Sequence, residues 1–149
     1  MEFKNRIVPK KQETYDLCFG CGQSNPIGLK LRFHRDGDGL RSEFTPEKYH
    51  QGWPDIVHGG IINAVMDEIL SYPPYIGGLT CFTGKMEVRF REPALVGQKL
   101  VLTSSMSRKR QRVVESHGTI AREDGTVIAE GKALMYVLEE GEPRPLPGE

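Results

Sequence analysis

The sequence predicts an α+β domain: one helix with a largely antiparallel sheet of five or six strands. Three observations lead there. Residues 59–72 carry a helical pattern that is apolar around most of its circumference. Most of the remaining central chain falls into short segments that alternate apolar and polar residues with period two. The chain has 149 residues, the size of one ordinary domain, so a second domain is not expected.

The elements follow in order. Residues 1–15 are polar and read as a loose lead-in to a single domain over 16–138. Leu29-Lys30-Leu31-Arg32-Phe33 alternates as a strand, and Gly37-Asp38-Gly39 turns it into a partner strand from Leu40 to Phe44. Pro46 to Val57 lacks periodicity and reads as a loop. The helix of residues 59–72 is expected to stop at Pro73-Pro74, because proline cannot donate a helical hydrogen bond. Residues 80–91 form the next strand, with Phe82, Met86, Val88 and Phe90 on one face. Thr83, Lys85, Glu87, Arg89 and Arg91 occupy the other, with a bend or bulge near Gly84. Residues 98–107 and 112–122 are two strands around a basic turn, Arg108-Lys109-Arg110-Gln111-Arg112. A last strand runs from Thr126 to Leu138. Residues 139–149 include three prolines and read as an extended, flexible tail.

Charge narrows the partners. Twenty basic residues balance twenty acidic ones, so no global field attracts nucleic acid or anionic membrane. No apolar run is long enough to span a bilayer. The first residues lack the apolar stretch of a secretion signal, and three cysteines is an odd number. A cytoplasmic location with free thiols is the expectation.

The helix carries the chemistry. Its polar residues are Asn63, Asp67 and Ser71 on one stripe, with Glu68 beside them. Asp67 therefore sits mid-helix among apolar neighbours, where an unpaired carboxylate is costly. It is either a structural carboxylate bonded to Asn63 or a strand, or a functional one in a cleft. His58-Gly59-Gly60 opens the helix. Glycines there leave backbone N–H groups uncovered at the positive end of the helix dipole, which suits an anion or a developing oxyanion. His58 also suits an ordinary helix cap. Nine residues of helix place His58 and Asp67 on opposite sides and about 13 Å apart along the axis. Two antiparallel copies of the helix would bring each N-terminus to the other's carboxylate, so a homodimer with a shared site is expected.

Gln51-Gly52, His58-Gly59-Gly60-Ile61-Ile62-Asn63-Ala64-Val65-Met66-Asp67-Glu68 and Thr83-Gly84-Lys85-Met86-Glu87-Val88-Arg89-Phe90-Arg91-Glu92-Pro93 together resemble the hotdog-fold thioesterases. The similarity is nearest to the phenylacetyl-CoA thioesterase type and spans about residues 16–138. The lead-in Cys18-Phe19-Gly20-Cys21-Gly22, continuing to Asn25-Pro26-Ile27-Gly28-Leu29, also resembles some members. The resemblance implies a central helix wrapped by the sheet, dimers often paired into tetramers, and hydrolysis of acyl-CoA with no cofactor beyond the CoA of the substrate. It implies Asp67 as general base or nucleophile, and Gly59 and Gly60 as N–H donors to the thioester carbonyl. It implies His58 as an orienting group and Thr83 as a hydroxyl near the attacking water. Many relatives place Asn shortly before the histidine; here Gln51 is the candidate substitute. Asn63, Lys85, Arg89 and Arg91 are candidate substrate contacts, the three cations for CoA phosphates. A non-catalytic acyl-CoA-binding domain is the principal alternative. A hydratase on a related fold is a third, but it would want aspartate before histidine.

Cys18 and Cys21 form one Cys-x-x-Cys pair. A zinc site needs two more ligands; no second pair exists, Cys81 is alone and His34 is isolated. The expectation is no metal, and a tight turn with two small thiols. No Gly-x-Ser-x-Gly elbow is present, so a serine-hydrolase route has no support.

Overall fold

The computed structural model describes residues 16–147 and 149; the expected lead-in over 1–15 lies outside them. The elements are β1 (Phe33–Asp36), β2 (Gly39–Phe44), a 3-10 turn (Lys48–His50), α1 (Gly59–Ile76), β3 (Leu79–Phe90), β4 (Leu100–Arg110), β5 (Val113–Arg122) and β6 (Val127–Glu140). Six strands form one sheet in the order β1-β2-β4-β5-β6-β3. Every neighbouring pair is antiparallel. The α+β class and the strand number agree with the sequence reading. No helix among the described residues is long and apolar enough to cross a membrane.

Helix α1 packs against β2, β3, β4, β5 and β6. Its Val65, Met66 and Leu70 are fully buried, together with Leu100, Val114 and Ile120 of the sheet. The sheet comes unusually close where β5 and β6 carry glycines. A Cβ on Gly131 would lie 2.6 Å from Met66 Sδ, and one on Gly118 would lie 3.0 Å from Ile69 Cδ1. A side chain at Gly131 would force Met66 to move, and one at Gly118 would crowd Ile69 and Leu70.

Three boundaries differ from the sequence reading. Leu29, Leu31 and Phe33 are buried, as alternation predicts, but the ladder begins only at Phe33. Lys30 has a φ of 55°, and the N–H groups of Leu29 and Leu31 donate to Phe19 and Gly20 carbonyls instead of to a strand. The helix runs past Pro73 and Pro74 to Ile76. The prolines fall in its last turn, where Gly77 and Gly78 N–H groups cap the Pro73 and Tyr75 carbonyls. Tyr72 stacks on Phe33 at 3.9 Å, which holds this turn against the sheet. The basic turn is also shorter than expected. Arg108 to Arg110 belong to β4, and Gln111 makes the reversal with a φ of 56°.

The bulge expected near Gly84 is present, as a register shift between Thr83 and Lys85. It has a consequence for facing. Leu79 and Cys81 pack inward before it, and Met86 and Val88 after it. Phe82, expected beside Met86, instead lies on the outer face and is 53% exposed.

The segment after β6 is extended but docked. Gly141 N–H donates to Gly78 and Arg144 N–H to Ile76. The Arg144 guanidinium reaches the Tyr75 carbonyl at 2.6 Å and lies over the Tyr75 ring. Leu146 is only 3% exposed and belongs to the core. Proline restricts this segment, so little entropy opposes its docking. Leu146→Ala should therefore lower unfolding stability by about 2 kcal/mol, the low end for a buried leucine. Urea unfolding measures this; a change within ~0.5 kcal/mol, as at an ordinary surface position, would mean the tail is not part of the core.

Candidate active site

The centre of the site is the polar stripe of α1. Asp67 is half-buried, one turn from Ser71, whose hydroxyl donates to the Asp67 carbonyl at 2.7 Å. The Thr83 hydroxyl donates to Asp67 Oδ1 at 2.9 Å. This contact depends on the bulge: Thr83 is the last residue of the first half of β3 to face the helix. One carboxylate oxygen is thus bound, and no described side chain donates to Oδ2. Asn63 is half-buried on the same stripe and makes no side-chain hydrogen bond among the described residues.

The helix start differs in part from expectation. His58 is the N-cap, and its Nδ1 accepts from Gly60 N–H at 2.8 Å. The neutral ring therefore carries its proton on Nε2. Gly60 N–H is occupied by this cap rather than uncovered. Gly59 N–H takes part in no hydrogen bond among the described residues, and Gly59 is exposed with open space where a Cβ would point. Gly59 is thus the available donor at the positive end of the helix.

The loop before the helix is built around the same histidine. His58 N–H donates to the His50 carbonyl at 2.8 Å, and a Cβ on Gly52 would lie 3.1 Å from His58 Cα. Gln51 Oε1 accepts from Asp55 N–H at 3.1 Å, which steadies Asp55 at a φ of 65°. Gln51 shapes the loop through its amide oxygen, and its amide nitrogen makes no hydrogen bond among the described residues.

The family model described as the thioesterase superfamily matches residues 55–129. The chain belongs to the thioesterase superfamily. The match contains His58, Gly59, Gly60, Asp67 and Thr83; Gln51 and the Cys18–Cys21 pair lie outside it. The acyl-coenzyme A thioesterase THEM5 of Mus musculus is 30% identical over 97 residues, which is 64% of this chain and 39% of that protein. A 3-hydroxyacyl-[acyl-carrier-protein] dehydratase, FabZ of Herpetosiphon aurantiacus, is 34% identical over 71 residues, 48% of this chain and 50% of that one. The chain thus spans half or less of the length of these curated relatives. Among solved structures, the thioesterase superfamily protein RHA08564 superposes with a TM-score of 0.78 at 21% identity, covering 89% of this chain and 70% of the other.

In this thioesterase-superfamily chain the candidate phosphate contacts do not join Asp67. Past the bulge, Lys85, Arg89 and Arg91 are exposed, while Met86 and Val88 face the helix. Lys85 pairs with Glu87 at 3.2 Å and Arg91 with Glu130 at 3.0 Å. Arg89 forms no ion pair among the described residues. Tyr72 and Tyr75 pack against each other and against Phe33 and Arg144. Trp53, next to the His58 loop, is 80% exposed.

One feature of this helix was not visible in the sequence. Glu68, next to Asp67, faces the Cys18–Cys21 turn, with Cys18 Sγ 3.8 Å from Glu68 Oε2. Burial pushes the Glu68 carboxyl up to about 7, with Cys18 and Asp67 adding repulsion. The neighbouring Cys21 thiol holds Cys18 down at about 5, while Cys21 itself is pushed up. The fifty-residue separation of Cys18 and Glu68 hid this pairing from any local motif.

His58→Ala would orphan Gly60 N–H and should cost about 1 kcal/mol in urea unfolding. His58→Asn, which can still cap, should recover most of that. Equal stability for His58→Ala and the parent would dismiss the capping role.

Proposed function

We propose that this chain hydrolyses acyl-CoA thioesters, with Asp67 as the base. The observation that carries the reading is the half-buried Asp67 carboxylate with one oxygen held by Thr83 and the other bound by no side chain among the described residues. Membership of the thioesterase superfamily and the likeness to an acyl-coenzyme A thioesterase support the substrate class.

The proposed chemistry follows from that geometry. A water between Asp67 Oδ2 and Thr83 Oγ1 can donate one hydrogen to each, because the Thr83 hydroxyl proton is already given to Asp67. Its lone pair is then free to point at the thioester carbon. Asp67 takes the proton as the oxygen attacks. The carbonyl oxygen gains charge and is stabilised by the N–H groups at a helix start, Gly59 first. Collapse expels the CoA sulfur, which recovers the proton from Asp67. Attack by Asp67 itself through an acyl anhydride is the other route open to the same carboxylate.

Within one chain the helix start and Asp67 lie far apart along the helix. The proposal therefore includes a homodimer. Strand β3 has twelve residues, stands at the end of the sheet, and has no strand along its outer edge among the described residues. A long, exposed edge favours pairing with another copy. Antiparallel pairing of two β3 strands would set the two α1 helices side by side and bring Gly59 of one copy toward Asp67 of the other. The exposed cations then become candidates for CoA phosphates bound across that boundary, Arg89 before the paired Lys85 and Arg91.

Asp67→Asn should reduce kcat about 10²- to 10⁴-fold with KM little changed. Thr83→Val should reduce it roughly 10- to 100-fold, the worth of one hydrogen bond to a charged group. A thiol-release assay over short, long and aromatic acyl-CoAs reads both, and parental turnover by Asp67→Asn would end the proposal. The same samples offered an enoyl-CoA test the dehydratase likeness. Hydration that depends on Asp67, without thiol release, would replace the hydrolase reading. Sedimentation coupled to activity tests the shared site: the active species should be a dimer or larger, and a fully active monomer would exclude it.

A further inference from the structure

We propose that Cys18, Cys21 and Glu68 form a zinc-binding site that clamps the turn of residues 18–22 onto α1. The site is separate from the hydrolytic reading and does not depend on it.

Geometry is the first support. One donor atom from each of the three residues lies within 4.8 Å of the other two. The Glu68 carboxylate oxygens are 3.8 and 4.0 Å from Cys18 Sγ. Zinc bonds of about 2.3 Å to sulfur and 2.0–2.2 Å to oxygen require donor separations of about 3.5–3.8 Å in a tetrahedron. Cys18 and Glu68 already stand within a few tenths of an ångström of that separation, and side-chain rotations that move the remaining donors by at most about an ångström close the site around an ion.

The turn is also shaped for it. Cys18 and Cys21 have the two-residue spacing that places both sulfurs on one side of a tight turn, closed by Gly22 N–H to the Cys18 carbonyl at 2.9 Å. A Cβ on Gly20 would lie 2.3 Å from Glu68 Oε2, so only glycine lets the turn approach the carboxylate this closely.

Charge supplies the third support. No lysine, arginine or histidine among the described residues forms an ion pair with Glu68. A carboxylate crowded by two thiols and lacking a cation gains from a bound divalent ion. Two sulfur donors favour zinc over magnesium or calcium. No fourth His, Cys, Asp or Glu among the described residues joins the cluster, which leaves one tetrahedral corner for water. All three side chains are only partly buried, so an ion has access.

The reduced full chain, stripped with a chelator, is titrated with Zn²⁺ against a chromogenic competitor. One ion per chain should bind. It should protect two of the three thiols from alkylation and leave Cys81 reactive. Co²⁺ in its place should show thiolate-to-metal charge-transfer absorption. Cys18→Ser and Cys21→Ser should each weaken Zn²⁺ binding by more than about 100-fold, beyond the 10–100-fold that supporting groups contribute. Glu68→Gln, which keeps the side-chain size, should weaken it by at least about tenfold. Absence of stoichiometric Zn²⁺ in the parent, or parental affinity in Glu68→Gln, would overturn the site. Because the parent titration stands alone, a cysteine variant that fails to fold does not blunt the test.

Discussion

The structure depends on enclosing a helix that is apolar almost all round. Val65, Met66 and Leu70 lose all contact with solvent, and five strands supply the surfaces that cover them. Each such side chain contributes about 1.5–3 kcal/mol when removed from water. Enclosure has a second effect. The half-buried polar groups on the same helix have less water available and gain from a partner inside the fold. The Thr83 hydroxyl meets that demand for one oxygen of Asp67. The bulge at Gly84 makes this possible, because without a register shift the inner face of β3 would not turn from Thr83 to Met86. The sheet's irregularity and the placement of the carboxylate are one arrangement.

Much of this was legible in the sequence for a physical reason. Period-two alternation over residues 80–91 and 112–122 reports which side of a strand is buried, and a broken alternation reports a bulge. The Asn63, Asp67, Ser71 stripe reports a narrow polar seam on a buried helix. What escaped was set by contacts between distant segments. Leu29 and Leu31 alternate like a strand, yet their backbone donors go to the Phe19 and Gly20 carbonyls. Pro73 and Pro74 usually end a helix, but Tyr72 stacking on Phe33 and the caps from Gly77 and Gly78 carry it through one more turn. The prolines predict an extended, flexible tail, whereas Leu146 and Arg144 anchor it.

The candidate site was legible in type more than in detail. The resemblance implies Thr83 as a hydroxyl near the attacking water; the structure shows that hydroxyl donating to Asp67. Gly59 and Gly60 do not play equal parts, because His58 Nδ1 claims the second N–H. A histidine able to cap the helix or orient a substrate could not be assigned from spacing, since both roles need the same position at the helix start. Alternation places Lys85, Arg89 and Arg91 opposite Met86 and Val88, and they lie there; it also places Thr83 with the cations, whereas the bulge leaves Thr83 on the helix side.

Adjacent residues on a helix point about 100° apart. Asp67 and Glu68 are two carboxylates of similar chemistry, yet that rotation gives them unrelated surroundings. Asp67 meets a strand hydroxyl that leaves one oxygen available. Glu68 meets two sulfurs brought from fifty residues away by a glycine-lined turn. Burial first, and then the charges of Cys18 and Asp67, penalise the ionised form of Glu68. A divalent ion on Glu68 and its two cysteines would supply the missing positive charge for that neighbourhood. It would also fix the loop of residues 18–22 against the same helix that carries Asp67, so that packing, charge balance and the orientation of the candidate base rest on one turn of α1.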